Sequence, residues 1–80
     1  MIINGKEYPN CNLCYEPEDI NWPARVEVIP GVMGRTPTVS KPHIGKYGLI
    51  EEDGDTVKIT LDDGTILRGY ECWWKPIKGG

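Results

Sequence analysis

Residues 56–61, Thr-Val-Lys-Ile-Thr-Leu, alternate polar and apolar side chains without a break. A period of two sets Val57, Ile59 and Leu61 on one face of an extended chain and Thr56, Lys58 and Thr60 on the other. That pattern predicts a half-buried strand. Asp53-Gly54 precedes it and Asp63-Gly64 follows it, and both dipeptides suit the positive backbone angles of a tight hairpin turn. Residues 47–52 and 65–70 are therefore read as the neighbouring strands of an antiparallel meander. Upstream, residues 24–29 place Val26 and Val28 on one face before Pro30-Gly31 ends the run. Downstream, residues 73–77 can form a last short strand, which should lie at an edge or end at Pro76, because that residue has no donor for a ladder.

The rest of the chain lacks either period. Pro30 to His43 contains three prolines and neither a helical nor a strand pattern; loops of this length are uncommon and often functional. Residues 1–8 suit a tight hairpin around Asn4-Gly5. Cys11-Asn12-Leu13-Cys14 and the acidic stretch 16–19 follow it. No repeat is present, and no helix longer than a turn is predicted.

The order strand, long loop, three-strand meander, short turn, short strand over residues 24–78 resembles the SH3-like barrel. Gly45-Lys46-Tyr47-Gly48-Leu49-Ile50, followed by Leu61-Asp62-Asp63-Gly64-Thr65, is similar to patterns in KOW and Tudor-like members of that superfold. There a Gly-x-x-Gly-apolar segment opens one strand and an apolar-x-Asp-Gly turn joins two later ones. The fold this implies is all-β: a five-stranded SH3-like barrel over 24–78, an irregular N-terminal extension over 1–23 with a hairpin and a Cys-x-x-Cys loop, and a flexible tail at 79–80. The Ala-Leu-Tyr-Asp-Tyr and Pro-x-Asn-Tyr segments that line the peptide groove of signalling SH3 domains do not occur. The superfold binds peptides, RNA, polymerases and photosynthetic complexes alike, so function has to be argued from particular residues.

Composition narrows the classes. Eighty residues make one domain, which buries about 60–65% of its unfolded surface and has little room for a deep catalytic cleft. At 39% hydrophobic and 26% charged, the chain is too apolar to stay disordered. No apolar run approaches the ~20 residues of a membrane span, and Met-Ile-Ile-Asn-Gly lacks the basic-then-apolar order of a leader. A cytoplasmic, membrane-free protein is expected. Net charge is −3, but Arg25, Arg35, Lys41 and Lys46 face only Glu27 over residues 25–46. Over residues 51–63, six carboxylates face only Lys58. Such a split can steer an encounter or can be two solvated loops.

Few residues suggest chemistry. Cys11 and Cys14 have the spacing with which two thiolates hold a tetrahedral zinc, but a second pair of ligands is needed. Only His43 and Cys72 remain as soft donors. The set Cys11, Cys14, His43, Cys72 defines a zinc-stabilised module as one alternative. An odd cysteine count and half a motif make reduced thiols without a cofactor the expectation. Ser40, the sole serine, and His43 have no positioned acid beside them, and no catalytic constellation emerges, so no enzymatic activity is expected. The acidic run 51–55 lacks the spacing of a calcium loop. Trp73 and Trp74 must point to opposite faces of a strand, so one enters the core and the other is available as an anchor for a partner.

The expectation is a small non-enzymatic interaction module that docks on a larger protein or ribonucleoprotein, as an accessory subunit or as a phage or mobile-element inhibitor. Its contacts would come from Arg35, Lys41, Lys46, Tyr47, Tyr70 and one of Trp73 and Trp74. A second alternative is KOW-type nucleic-acid binding through Arg25, Arg35, Lys41 and Lys46, against which the acidic chain as a whole argues.

Overall fold

The computed structural model describes residues 2–11 and 20–77. Among them the chain forms β1 (Ile2–Ile3), β2 (Lys6–Glu7), β3 (Ala24–Ile29), β4 (Tyr47–Asp53), β5 (Thr56–Leu61), β6 (Ile66–Arg68) and β7 (Trp73–Pro76). Two 3₁₀ segments, Val32–Gly34 and Thr38–His43, fold the long loop between β3 and β4. No helix among the described residues is long and apolar enough to cross a membrane.

The protein is all-β, and all five expected strands form. β3 and β5 have the predicted bounds, and β4 runs one residue further, into its Asp-Gly turn. β6 is shorter than expected. The Gly69 amide still donates to Val57, but the Glu71 amide then turns back to the Arg68 carbonyl, ending the strand after three residues. β1 and β2 pair antiparallel around Asn4 and Gly5, whose φ angles of 53° and 82° are those of the expected primed turn.

The five longer strands make one antiparallel sheet in the order β6-β5-β4-β3-β7. The expected barrel is not closed: β6 and β7 are the two edges and do not pair. β6 is too short to offer a long ladder, and the chain between Arg68 and Trp73 is spent on a turn. The N-terminal residues cover the core instead. Ile3 and Tyr8 are fully buried with Val26, Val28, Ile50, Val57, Ile59, Leu61, Leu67, Cys72 and Trp74. Cys11, Ile20, Trp22 and Ala24 pack against this cluster.

Polar clamps hold that cover in place. The Asn4 side chain accepts from the Ile20 amide at 2.9 Å and donates to its carbonyl at 2.7 Å. Asn10 donates to the Asp55 carboxylate at 2.6 Å, and the Thr56 hydroxyl donates to the Asn10 carbonyl. The Tyr8 hydroxyl emerges at the rim and donates to Glu52 at 2.5 Å, with Lys6 over the ring. At Gly48 β4 leaves no room for a side chain against β5: a Cβ there would lie 2.5 Å from the Thr60 carbonyl oxygen.

Candidate functional site

Strand β7 divides the two adjacent tryptophans. Its register sets Trp74 opposite Val28 and Trp73 opposite Ile29. Val28 faces the core, so Trp74 does too and is 1% exposed. Its indole Nε1 meets no hydrogen-bond partner of ordinary geometry among the described residues. The thiol facing it is that of Cys11, whose pKa burial pushes up while the indole N–H pulls it down. Of the two candidates, Trp74 is thus a core residue, and Trp73 is the one at the surface.

Trp73 is half-buried on the outer face of the sheet. With Ile29, Pro30, Gly31, Val32 and Lys75 it lines an open cleft of about 440 Å³. The loop after β3 builds one wall. The Gly31 amide donates to the Thr36 hydroxyl at 2.9 Å, and the Arg35 amide closes the first 3₁₀ turn onto Val32 at 3.0 Å. Gly31 is pressed against this turn and against the indole: a Cβ there would lie 2.7 Å from the Arg35 carbonyl carbon and 2.8 Å from Trp73 Nε1. Met33, at the tip, has a positive φ of 53° and is 91% exposed.

The other expected contact residues are all exposed. Tyr47 is opposite Glu27, and Glu27 is opposite Lys75, so Tyr47 lies two strands from Lys75 on the same face of the sheet. Lys46 precedes it, and its carbonyl accepts from Val28. Lys41 is exposed in the second 3₁₀ segment. Tyr70 is exposed in the turn between β6 and β7.

Tertiary pairing rearranges the charge split. Arg25 holds Asp62 with two bonds, at 2.7 and 3.0 Å. Lys46 is 2.8 Å from Asp63 and 3.2 Å from His43 Nδ1. The Arg25 guanidinium lowers the Asp62 pKa. The Lys46 ammonium and the Thr65 amide hold the Asp63 carboxyl well below the usual carboxylate range. Two of the four cations of residues 25–46 are thereby engaged. Arg35 and Lys41 carry no ion pair among the described residues.

The zinc set is not assembled among the described residues. His43 faces Lys46, Cys11 faces Trp74, and Cys72 is buried with its thiol donating toward the Arg68 carbonyl. Burial, with Cys11 and Glu71 nearby, pushes the Cys72 thiol up to about 12. Cys14 lies outside the described residues. No group of three or more potential metal-holding side chains gathers among those described. Ser40 is fully buried, and its hydroxyl donates to the Pro37 carbonyl rather than to His43.

Sequence reasoning missed three apolar side chains, Ile66, Leu49 and Ile77, that alternate with Thr60 and Arg25 across the outer face. Ile66 is opposite Thr60, Thr60 opposite Leu49, and Leu49 opposite Arg25. Ile77 follows on the far side, its amide N–H donating to the Arg25 carbonyl. Leu49 is 40% exposed and Ile66 50%. The signal was present in β4, where Leu49 is apolar on the face that alternation assigns to solvent. Ile29, Pro30 and Val32 gave no such signal, because their place in the cleft depends on how the loop folds back. No family model, curated protein or solved structure matches the chain.

Proposed function

We propose that this chain is a small non-enzymatic module that docks on a larger protein through the surface around Trp73, in the manner of an accessory subunit or an inhibitor. One observation carries the reading. Of two adjacent tryptophans, one completes the core and the other lies half-buried on the outer face beside an open cleft. A large aromatic ring placed beside an unfilled cleft is the kind of anchor that supplies most of the energy at protein interfaces. Tyr47, Leu49 and Ile66 extend apolar surface from there over the same face.

We also read the sheet as an open relative of the SH3-like barrel. The order β6-β5-β4-β3-β7 sets the first and last of the five long strands side by side, which supports the resemblance drawn from the strand–loop–meander order. Nucleic-acid binding is the weaker reading, since Arg25 and Lys46 are paired with Asp62 and Asp63.

The test is a photo-crosslinking amino acid in place of Trp73, expressed in the native host. A discrete protein adduct, absent when the same group replaces Lys58, is the expected result. Adducts that nuclease removes, or none at all, would overturn the proposal.

A further inference from the structure

The tip of the N-terminal hairpin combines a reactive dipeptide with a clamp. Asn4-Gly5 is the one Asn-Gly pair in the chain; Asn10, Asn12 and Asn21 precede Cys, Leu and Trp. A glycine after asparagine leaves its own backbone nitrogen free to attack the asparagine Cγ, whereas a bulky side chain crowds the approach. Two features hold that reaction off in the folded chain. Asn4 and Gly5 have φ angles of 53° and 82°, both positive as a type I′ turn requires. In that turn Asn4 is left-handed, and the Gly5 nitrogen lies nearly opposite the Asn4 Cβ across the Cα–C bond, whereas ring closure needs the two on the same side. The carboxamide is also tied down: its Nδ2 donates to the Ile20 carbonyl at 2.7 Å, and its Oδ1 accepts from the Ile20 amide at 2.9 Å. The reaction therefore has to wait for the hairpin to open, the same movement that lifts Ile3 and Tyr8 from the core.

We propose that Asn4 is a deamidation site gated by the fold, and that its reaction permanently undoes the fastening of the N-terminal cover. When the turn opens, the Gly5 nitrogen attacks Asn4 Cγ. A C–N bond forms, the bond to Nδ2 breaks, and the Gly5 proton leaves with that nitrogen as ammonia. Water then opens the cyclic imide at either carbonyl, giving aspartate or isoaspartate. Neither product rebuilds the clamp. Aspartate has no N–H to donate and sets a carboxylate oxygen against the Ile20 carbonyl oxygen. Isoaspartate adds a carbon to the main chain inside a two-residue turn whose length fixes the register of the hairpin. A chain that reacts while open is thus lost to the closed state, and the rate of loss reports how often the cover lifts.

The experiment incubates the full chain at mildly alkaline pH, with and without denaturing urea, and follows the intact mass for the gain that accompanies exchange of an amide for an acid. Peptide mapping locates the site and separates isoaspartate from aspartate. Urea should speed the reaction by about tenfold or more, the factor by which hairpin closure suppresses it. The early gain should map to position 4, and Asn4→Gly, which suits the same left-handed turn, should abolish it. The deamidated chain, separated by its extra negative charge, should melt below the parent. The proposal is overturned by any of four results: no mass gain in urea, equal rates with and without urea, an early gain that survives Asn4→Gly, or a deamidated chain that melts with the parent. The first three are read from mass, so they hold even where Asn4→Gly folds poorly.

Discussion

The inner and outer faces of the five-stranded sheet are made by alternate residues of the same strands, and they are finished differently. On the inner face Val26, Val28, Ile50, Val57, Ile59, Leu61, Leu67 and Trp74 are each at most 2% exposed, and the N-terminal hairpin adds Ile3 and Tyr8 to the same cluster. On the outer face Tyr47, Leu49 and Ile66 remain 40–50% exposed, and nothing among the described residues covers them. The charges between them are spent on one another: Arg25 on Asp62, Lys46 on Asp63, Arg68 on Asp53, Lys75 on Glu27. Solvent-exposed pairs of this kind add little to stability, whereas the buried cluster accounts for most of it. Folding therefore explains the inner face, whereas the outer face keeps apolar side chains open to solvent, and the proposed docking surface is drawn from them.

The two tryptophans put this contrast to its hardest test. Trp74→Ala opens a large hole in a small core and should cost about 3–5 kcal/mol, most of the stability of such a domain. Trp73→Ala should leave a cooperative thermal transition within a few degrees of the parent. Circular dichroism melts of both variants decide the matter, and equal losses would erase the distinction between the faces.

Adjacent residues of β4 give the next largest contrast. In Gly48→Ala the new Cβ meets the Thr60 carbonyl, backbone that cannot step aside, so a loss of about 2 kcal/mol or more is expected. Leu49→Ala, one residue along on the open face, should cost under about 1 kcal/mol. Chemical denaturation of the two variants would show whether β4 and β5 are as close as the register requires.

The hairpin cover can be probed by alkali. Burial first, and the bond to Glu52 second, raise the Tyr8 pKa from 10.0 to about 12. Burial likewise raises Cys72 from 9.0 to about 12. Both groups keep their protons longer folded than unfolded. Their contribution is thus complete below the unfolded pKa values and is lost as pH rises through about 12. Melting temperature should fall from about pH 9 upward, and Tyr8→Phe should flatten that limb while lowering the starting value by the loss of the Glu52 bond. An unchanged slope would mean that Tyr8 is not seated in the core.

The smallest effect belongs to the outer-face ion pairs. Arg25→Ala should change the melting temperature by only about 1–2 °C, and less in high salt. The depressed Asp62 and Asp63 carboxyls contribute stability that is present above the ordinary carboxylate pKa of 3.8 and is lost as pH falls through their lower folded values. A large, salt-independent loss on replacing Arg25 would show that the outer face is structural after all.

Local pattern carried the strands and little of their assembly. The alternation of Thr56 to Leu61, the Val26–Val28 pair and the Asn4-Gly5 turn each determine their own backbone, because side-chain period and turn geometry act within a few residues. The same alternation required Trp73 and Trp74 to part. Which of them enters the core was left open by the sequence and decided by the register of β7 on β3, which sets Trp74 beside Val28. The unclosed sheet, the burial of Ile3 and Tyr8, and the pairing of Arg25 with Asp62, 37 residues away, depend on contacts between segments that no local window contains. The cleft belongs to the same class. Trp73 was legible as a candidate from its neighbour, but Ile29, Pro30 and Val32 became its walls only when the loop folded back and packed the Arg35 backbone against Gly31. Short-range sterics are written into each stretch of chain, whereas a surface is composed of residues distant in sequence and exists only once the chain has folded.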